Sequence, residues 1–165
     1  MNFILRFFIL TILLVINVPV YALNSDTEQP IDIESASQSF DMETNTITLN
    51  GNVVITQGTI KITAEKVIVV RQENKSEVMT AYGSPVKFYQ MLESGKPVNG
   101  QASKMHYDLG SEFITLTGAA QLQQLDSSVK ANKITYDVKK QQLKALRDGK
   151  MSRVKTTLIP TQLNK

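Results

Sequence analysis

The chain has no cysteine and no tryptophan, a single histidine, and only 7% aromatic residues. Without cysteine there are no disulfides and no thiolate ligands. The fold must therefore hold by packing and ladder hydrogen bonds in whatever compartment it occupies. His106 alone would have to carry a histidine-containing zinc cluster or a Ser–His–carboxylate relay, and it alternates with Met105 and Tyr107 as a solvent-side strand residue does. Charge of one sign is scarce too: 18 Lys and Arg stand against 15 acids, a formal net charge of +3. So small and evenly spread an excess argues against a nucleic-acid-binding stripe. No phosphate-cradling loop is present, since Gly51, Gly83 and Gly118 stand isolated. The acids Glu28, Asp32 and Glu34 match no calcium loop. Asp41, Asp108 and Asp137 each follow an aromatic residue, and the recurrence reads as turn initiation at strand ends rather than as a carboxylate pair. The reading is that of a non-enzyme with no cofactor and no metal.

Long hydrophobic runs are also rare. Phe7–Val18 is almost unbroken, but about a dozen residues fall short of the roughly 20 that a spanning helix needs. Arg6 precedes it and Val20-Tyr21-Ala22 follows, which is the layout of a secretory signal peptide over residues 1–22. No cysteine follows the expected cut, which excludes lipid attachment there. The mature part, Leu23–Lys165, keeps 143 of the 165 residues and a net charge of +2, enough chain for one exported domain with a real core. It begins with a polar arm, Leu23–Pro30.

What the mature part does contain is alternation. Ile31 and Ile33 share a parity, as do Ile47, Leu49, Val53 and Ile55, then Ile60 and Ile62, then Val67 and Val69. Met105, Tyr107 and Leu109 follow, then Ile114, Leu116 and Leu122, then Ile134, Tyr136 and Val138. A period of two predicts half-buried strands. Gln57-Gly58, Ser94-Gly95-Lys96-Pro97, Leu109-Gly110-Ser111 and Asp126-Ser127-Ser128 have turn composition. The fold class is all-β.

The alternation repeats. An offset of 67 lays Ile62-Thr63-Ala64-Glu65-Lys66-Val67 on Val129-Lys130-Ala131-Asn132-Lys133-Ile134, Phe40-Asp41 on Tyr107-Asp108, Ile47 on Ile114 and Gly51 on Gly118. Glycines 51, 83, 118 and 149 mark units of about 33 residues, the scale of stacked supersecondary units. After Ala64, Ala102 and Ala131 the next inward candidate lies three residues on, at Val67, Met105 and Ile134. An odd step flips the face, which predicts a bulge where each strand bends from one wall to another. The result is an open stack of antiparallel strands over an apolar interior. Its first strand falls around Pro30–Ser37 and its last around Arg153–Pro160, leaving two edges free for head-to-tail strand addition.

Ile31-Asp32-Ile33-Glu34-Ser35 and the run Gly51–Ile62 carry a family resemblance, extended by Phe88-Tyr89-Gln90-Met91, Gly95-Lys96-Pro97-Val98, Met105-His106-Tyr107 and Leu122-Gln123-Gln124. From Asp26 to about Leu163 the chain resembles the OstA-like (LptA) family of periplasmic lipopolysaccharide-transport proteins. It departs from some members in having no lysine-rich extension after Leu163. The resemblance implies an open, V-shaped, twisted β-jellyroll whose protomers join head to tail into a bridge across the periplasm. It further implies the inner-membrane partner LptC at one end and the outer-membrane partner LptD at the other, with lipopolysaccharide acyl chains in the interior and outer-membrane assembly as the purpose. By inward parity the expected lipid-facing residues are Ile31, Ile33, Ile47, Leu49, Ile55, Ile60, Phe88, Tyr107, Leu109, Leu116 and Tyr136. The resemblance singles out Thr27, Ile31, Phe88, Tyr107 and Leu109 among the contacts. Two other classes stay open on the residues alone. One is a structural adaptor that docks membrane partners through its edge strands around a dry core. The other is a closed, lipocalin-like carrier.

Overall fold

The computed structural model describes residues 25–71, 75–147 and 153–159; the expected signal peptide, Gly149 and Pro160 lie outside these residues. The alternating segments form β1 (Ile31–Glu34), β2 (Ser37–Asp41), β3 (Thr46–Gln57), β4 (Ile60–Val70), β5 (Val78–Met91), β6 (Pro97–Asp108), β7 (Phe113–Gln124), β8 (Ser127–Asp137), β9 (Gln142–Leu146) and β10 (Lys155–Thr157). A 3-10 turn, Asp26–Glu28, precedes β1. All the strands belong to one sheet ordered β1-β3-β4-β5-β6-β7-β8-β10, with β2 also on β3 and β9 also on β8. Every pairing is antiparallel. The first and last strands are thus each split in two, and among the described residues they do not pair with one another. The expected strand over Pro30–Ser37 ends at Glu34 and resumes at Ser37, and the last strand shortens to Lys155–Thr157.

The long repeat is visible in the backbone. The bounds of β7 and β8 lie 67 residues after those of β3 and β4. Left-handed residues recur at the same offset: Asn45 and Glu112 (φ 49° and 59°), Gly51 and Gly118 (77° and 80°), Asn52 and Ala119 (48° and 48°), Gly58 and Leu125 (58° and 53°). Asn, Glu, Ala and Leu tolerate this region less easily than glycine. The shared turn geometry therefore comes from ladder register rather than from residue preference.

Register slips line up across the middle of the sheet, between Asn50 and Val53, Thr63 and Lys66, Tyr82 and Val86, Gln101 and Lys104, and Thr117 and Ala120. A row of bulges folds the sheet across its own strands into two facing walls. β1, β10 and the halves of β3–β8 around Ile55, Ile60, Phe88, Ala102, Leu122 and Ala131 make one wall. β2, β9 and the halves around Leu49, Val67, Met79, Met105, Leu116 and Ile134 make the other. The strands take the bend in two ways. In β4, β6 and β8 buried parity flips after the repeat alanine, from Ile62 to Val67, Ala102 to Met105 and Ala131 to Ile134. β3 and β7 keep parity, from Leu49 to Val53 and from Leu116 to Ala120, and instead place two left-handed residues at the corner. Gly51, Gly83 and Gly118 accordingly sit at mid-strand corners. At Gly51 a Cβ would come within 2.9 Å of the Ala36 Cβ, so both the positive φ and the neighbour require glycine there.

The three recurrent aspartates are turn residues. Asp41 accepts from the N–H of Glu43 and Thr44, Asp108 from Gly110 and Ser111, and Asp137 from Lys140. These amide bonds hold all three carboxyls below their usual range. The fourth expected turn shifts by one residue: Leu125-Asp126 turns, and Ser127 and Ser128 already belong to β8.

Candidate functional site

The walls enclose a continuous apolar interior. Leu49, Ile55, Ile60, Phe88, Leu116, Tyr107 and Tyr136 are buried in it, and Ile31, Ile33, Ile47 and Leu109 pack half-buried against it. The interior is filled by side chains. The Phe88 and Tyr136 rings meet from opposite walls at 5.9 Å with their planes tilted by 59°. Gly100 makes room for this contact, since a Cβ there would stand 3.2 Å from both Leu116 and Phe88. Every residue chosen by inward parity faces this interior or its rim. Lys61 and His106, which alternate outward, are exposed.

Thr27 reaches the rim by another route. The expected polar arm does not trail into solvent; its 3-10 turn is tied across the strand ends. The Asp26 carboxylate accepts from the Thr59 N–H at 2.6 Å, the Thr59 hydroxyl at 2.7 Å and the Gln90 amide at 2.9 Å. Thr27, Ile31, Tyr107 and Leu109 thereby come together, with Gln29, Gln57, Ser76, Glu77 and Gly110, around an open hollow of about 380 Å³. Phe88 does not line this hollow; it lies deeper, at 2% exposure.

Two residues at the rim escaped sequence reasoning. Gln57-Gly58 has turn composition, yet Gln57 is the last residue of β3 and is buried, as is Gln90 near the end of β5. The Tyr107 hydroxyl donates to Gln57 Oε1 at 3.2 Å, and the Tyr136 hydroxyl donates to Gln90 Oε1 at 2.9 Å. Gln57 also donates from Nε2 to the carbonyls of Thr27 and Gln29, at 3.1 and 3.2 Å. Each tyrosine stands on one wall and its glutamine on the other, so the two pairs cross the open side of the V. Burial, reinforced by nearby carboxylates, pushes both phenols up to about 12, so both remain O–H donors at any physiological pH. A signal was available: Gln57 and Gln90 are 33 residues apart, the length of the repeat, and Gln57 continues the parity of Val53 and Ile55.

The ends of the sheet differ from its middle. Phe40 and Met42 lie 50% and 81% exposed at the β2 end, and Leu143, Leu146, Val154 and Leu158 lie 39–59% exposed around β9 and β10. Both ends therefore present apolar side chains next to strand edges that are unpaired among the described residues.

Known proteins are similar to this chain in sequence and in fold. The model of the family described as LptA/(LptD N-terminal domain) LPS transport protein matches residues 32–142. The lipopolysaccharide export system protein LptA of Escherichia coli K12 is 54% identical over 153 residues, covering 92% of this chain and 82% of that one. Its namesake from Haemophilus influenzae is 57% identical over 146 residues, covering 87% and 84%. Among solved structures, LptH of Pseudomonas aeruginosa, described as the LptA-homologous periplasmic component of a lipopolysaccharide transport device, superposes with a TM-score of 0.76 at 25% identity over 82% of this chain and 99% of its own. The chain belongs to the LptA/(LptD N-terminal domain) family of lipopolysaccharide-transport proteins.

Proposed function

We propose that this protein carries lipopolysaccharide through the periplasm from the inner to the outer membrane, with acyl chains between its two walls and protomers joined head to tail. LptC would meet one end of the bridge and LptD the other. The observation that carries this reading is an apolar interior that runs the length of the sheet to both ends, where large apolar side chains lie exposed beside strand edges that no described residue pairs with.

The physical need is plain. Exposing an acyl chain of about a dozen carbons to water costs on the order of 10 kcal/mol, at about 0.8 kcal/mol per CH₂. A lipid with several such chains needs an apolar lining along the whole route, and strand addition between open-ended protomers supplies one. Because side chains fill the interior of the free protein, acyl chains enter by parting the walls. The sugar stays in water at the mouth, near Thr27, Ile31, Tyr107 and Leu109. Phe88, Leu116, Tyr136, Leu49, Ile55 and Ile60 form the deeper lining, and Ile33 and Ile47 continue it toward the β1/β2 end.

The purified mature protein tests both halves of the proposal. Sedimentation velocity is expected to show mass rising with protein concentration, and the same samples are expected to take up lipid A. Self-association without lipid uptake would instead favour a structural adaptor that docks membrane partners through its edges. Uptake by a protein that stays monomeric would favour a shuttle.

A further inference from the structure

The two cross-wall pairs lie where the acyl chains of a bound glycolipid would join its sugar, and this places a polar demand on anything that parts the walls. Gln57 and Gln90 stand on β3 and β5, and Tyr107 and Tyr136 on β6 and β8, so successive pairs are two strands apart, or about 10 Å along the stack. In the closed state each phenol has one amide partner across the mouth, and no buried side-chain polar atom among the described residues lacks a partner. Parting the walls breaks both bonds. It leaves two phenolic O–H donors and two amide oxygens facing a desolvated groove, and such groups are costly unless they find new partners. A plain hydrocarbon offers none. An acyl chain joined to a sugar through an amide or ester offers a carbonyl acceptor at the junction, and an amide N–H or hydroxyl beside it offers a donor.

We propose that Gln57–Tyr107 and Gln90–Tyr136 are exchangeable clasps: they hold the mouth shut in the free protein and, when lipid enters, trade their cross-wall bonds for bonds to the amide and ester groups joining its acyl chains to the sugar. The four residues are then specificity-determining positions, selecting chains that carry a polar junction over bare hydrocarbon and setting the depth at which the sugar stops. The Asp26 carboxylate, bonded to Gln90 Nε2 and to Thr59, steadies the second clasp from the N-terminal arm. The inference rests on the reading of the interior as the lipid path.

The test compares two probes on the full mature chain: lipid A, and its analogue with every ester and amide linkage replaced by an all-carbon (methylene) linkage. The variant is Tyr107→Phe with Tyr136→Phe, which keeps both rings and removes only the hydroxyls. A photoreactive residue at Phe88 reports whether each probe enters the interior. Wild-type protein is expected to prefer lipid A. In the double variant the ratio of the two affinities is expected to fall about tenfold or more, because two donors are lost and only lipid A could use them. The single variant Tyr107→Phe is expected to lose about half of that effect on a logarithmic scale, which guards against a double variant that folds poorly. An unchanged ratio, with both probes crosslinked at Phe88, overturns the exchange and leaves the lipid path standing. No crosslink of lipid A to the wild-type interior overturns the path and the clasps together.

Discussion

Replacing Phe88 by alanine is expected to remove about 3–5 kcal/mol of folding stability, read as a lower urea midpoint at unchanged slope. Phe88 sits at the middle of the stack, 2% exposed, with the Tyr136 ring at 5.9 Å from the other wall and Gly100 directly opposite on β6. Gly100 has no side chain to lend to the space the ring leaves, so the loss joins transfer and cavity contributions. Small domains are stable by only about 5–15 kcal/mol, so the variant stands near its threshold at room temperature. Phe113→Ala, at a position 37% exposed, is expected to cost far less and serves as the control. The contrast bears on function. A cost at Phe88 no larger than at Phe113 would mean that the interior is already loose. The full cost would mean that lipid must displace a well-packed set of side chains to enter.

Leu143→Asp combined with Leu146→Asp is expected to weaken head-to-tail assembly strongly while leaving the monomer folded. Both leucines are on β9, 42% and 39% exposed, on a strand that among the described residues pairs only with β8. At the opposite end Phe40 and Ile47 line a hollow of about 300 Å³ with Gln38, Ser39 and Arg71. A heterologous contact that continues the sheet brings these two ends together, burying Leu143 on the inward face it shares with Tyr136 and flanking Leu146 on the outward face it shares with Lys133. A carboxylate buried without a partner at position 143 costs more than the roughly 1–3 kcal/mol of an unsatisfied neutral group, and a second at position 146 adds charge beside the seam, so association is expected to weaken at least about 100-fold. Sedimentation equilibrium over a wide range of concentration reads this directly. Lys61→Glu, on an exposed position of β4 away from both ends, is expected to leave the association constant unchanged. Equal association by the Leu143/Leu146 variant would remove β9 from the interface.

Most of the fold was legible in the sequence because a half-buried sheet writes its pleat directly into alternation. The parity flips at Ala102–Met105 and Ala131–Ile134 even located the corners, since a bulge has to move buried side chains from one parity to the other. The same reasoning was blind to the corners of β3 and β7. Two left-handed residues turn the chain there with no change of parity, and only the recurrence of Gly51 at Gly118 marks them. Twofold splitting of the first strand was hidden because β2 is exposed along its whole length and has no buried face to announce it. Most of the inward-facing lining could be read from parity, because inward means the same thing for a packed core and for a groove. The clasps could not. Their partners lie 50 and 46 residues apart and meet only when the walls face each other, and a buried glutamine at a strand end looks in sequence like part of a turn. Likewise, nothing in the composition of Leu23–Pro30 tells a trailing arm from one anchored by Asp26.

Site-specific photocrosslinking in whole cells tests the central claim most directly. A photoreactive amino acid replaces Phe88, Tyr107 and Leu109 in turn, with the exposed positions Lys61 and His106 as controls. Lipopolysaccharide adducts at the three inward positions and none at the controls are the predicted result. Folded, assembling protein that gives no adduct at any inward position would contradict the account and leave a dry-cored adaptor in its place.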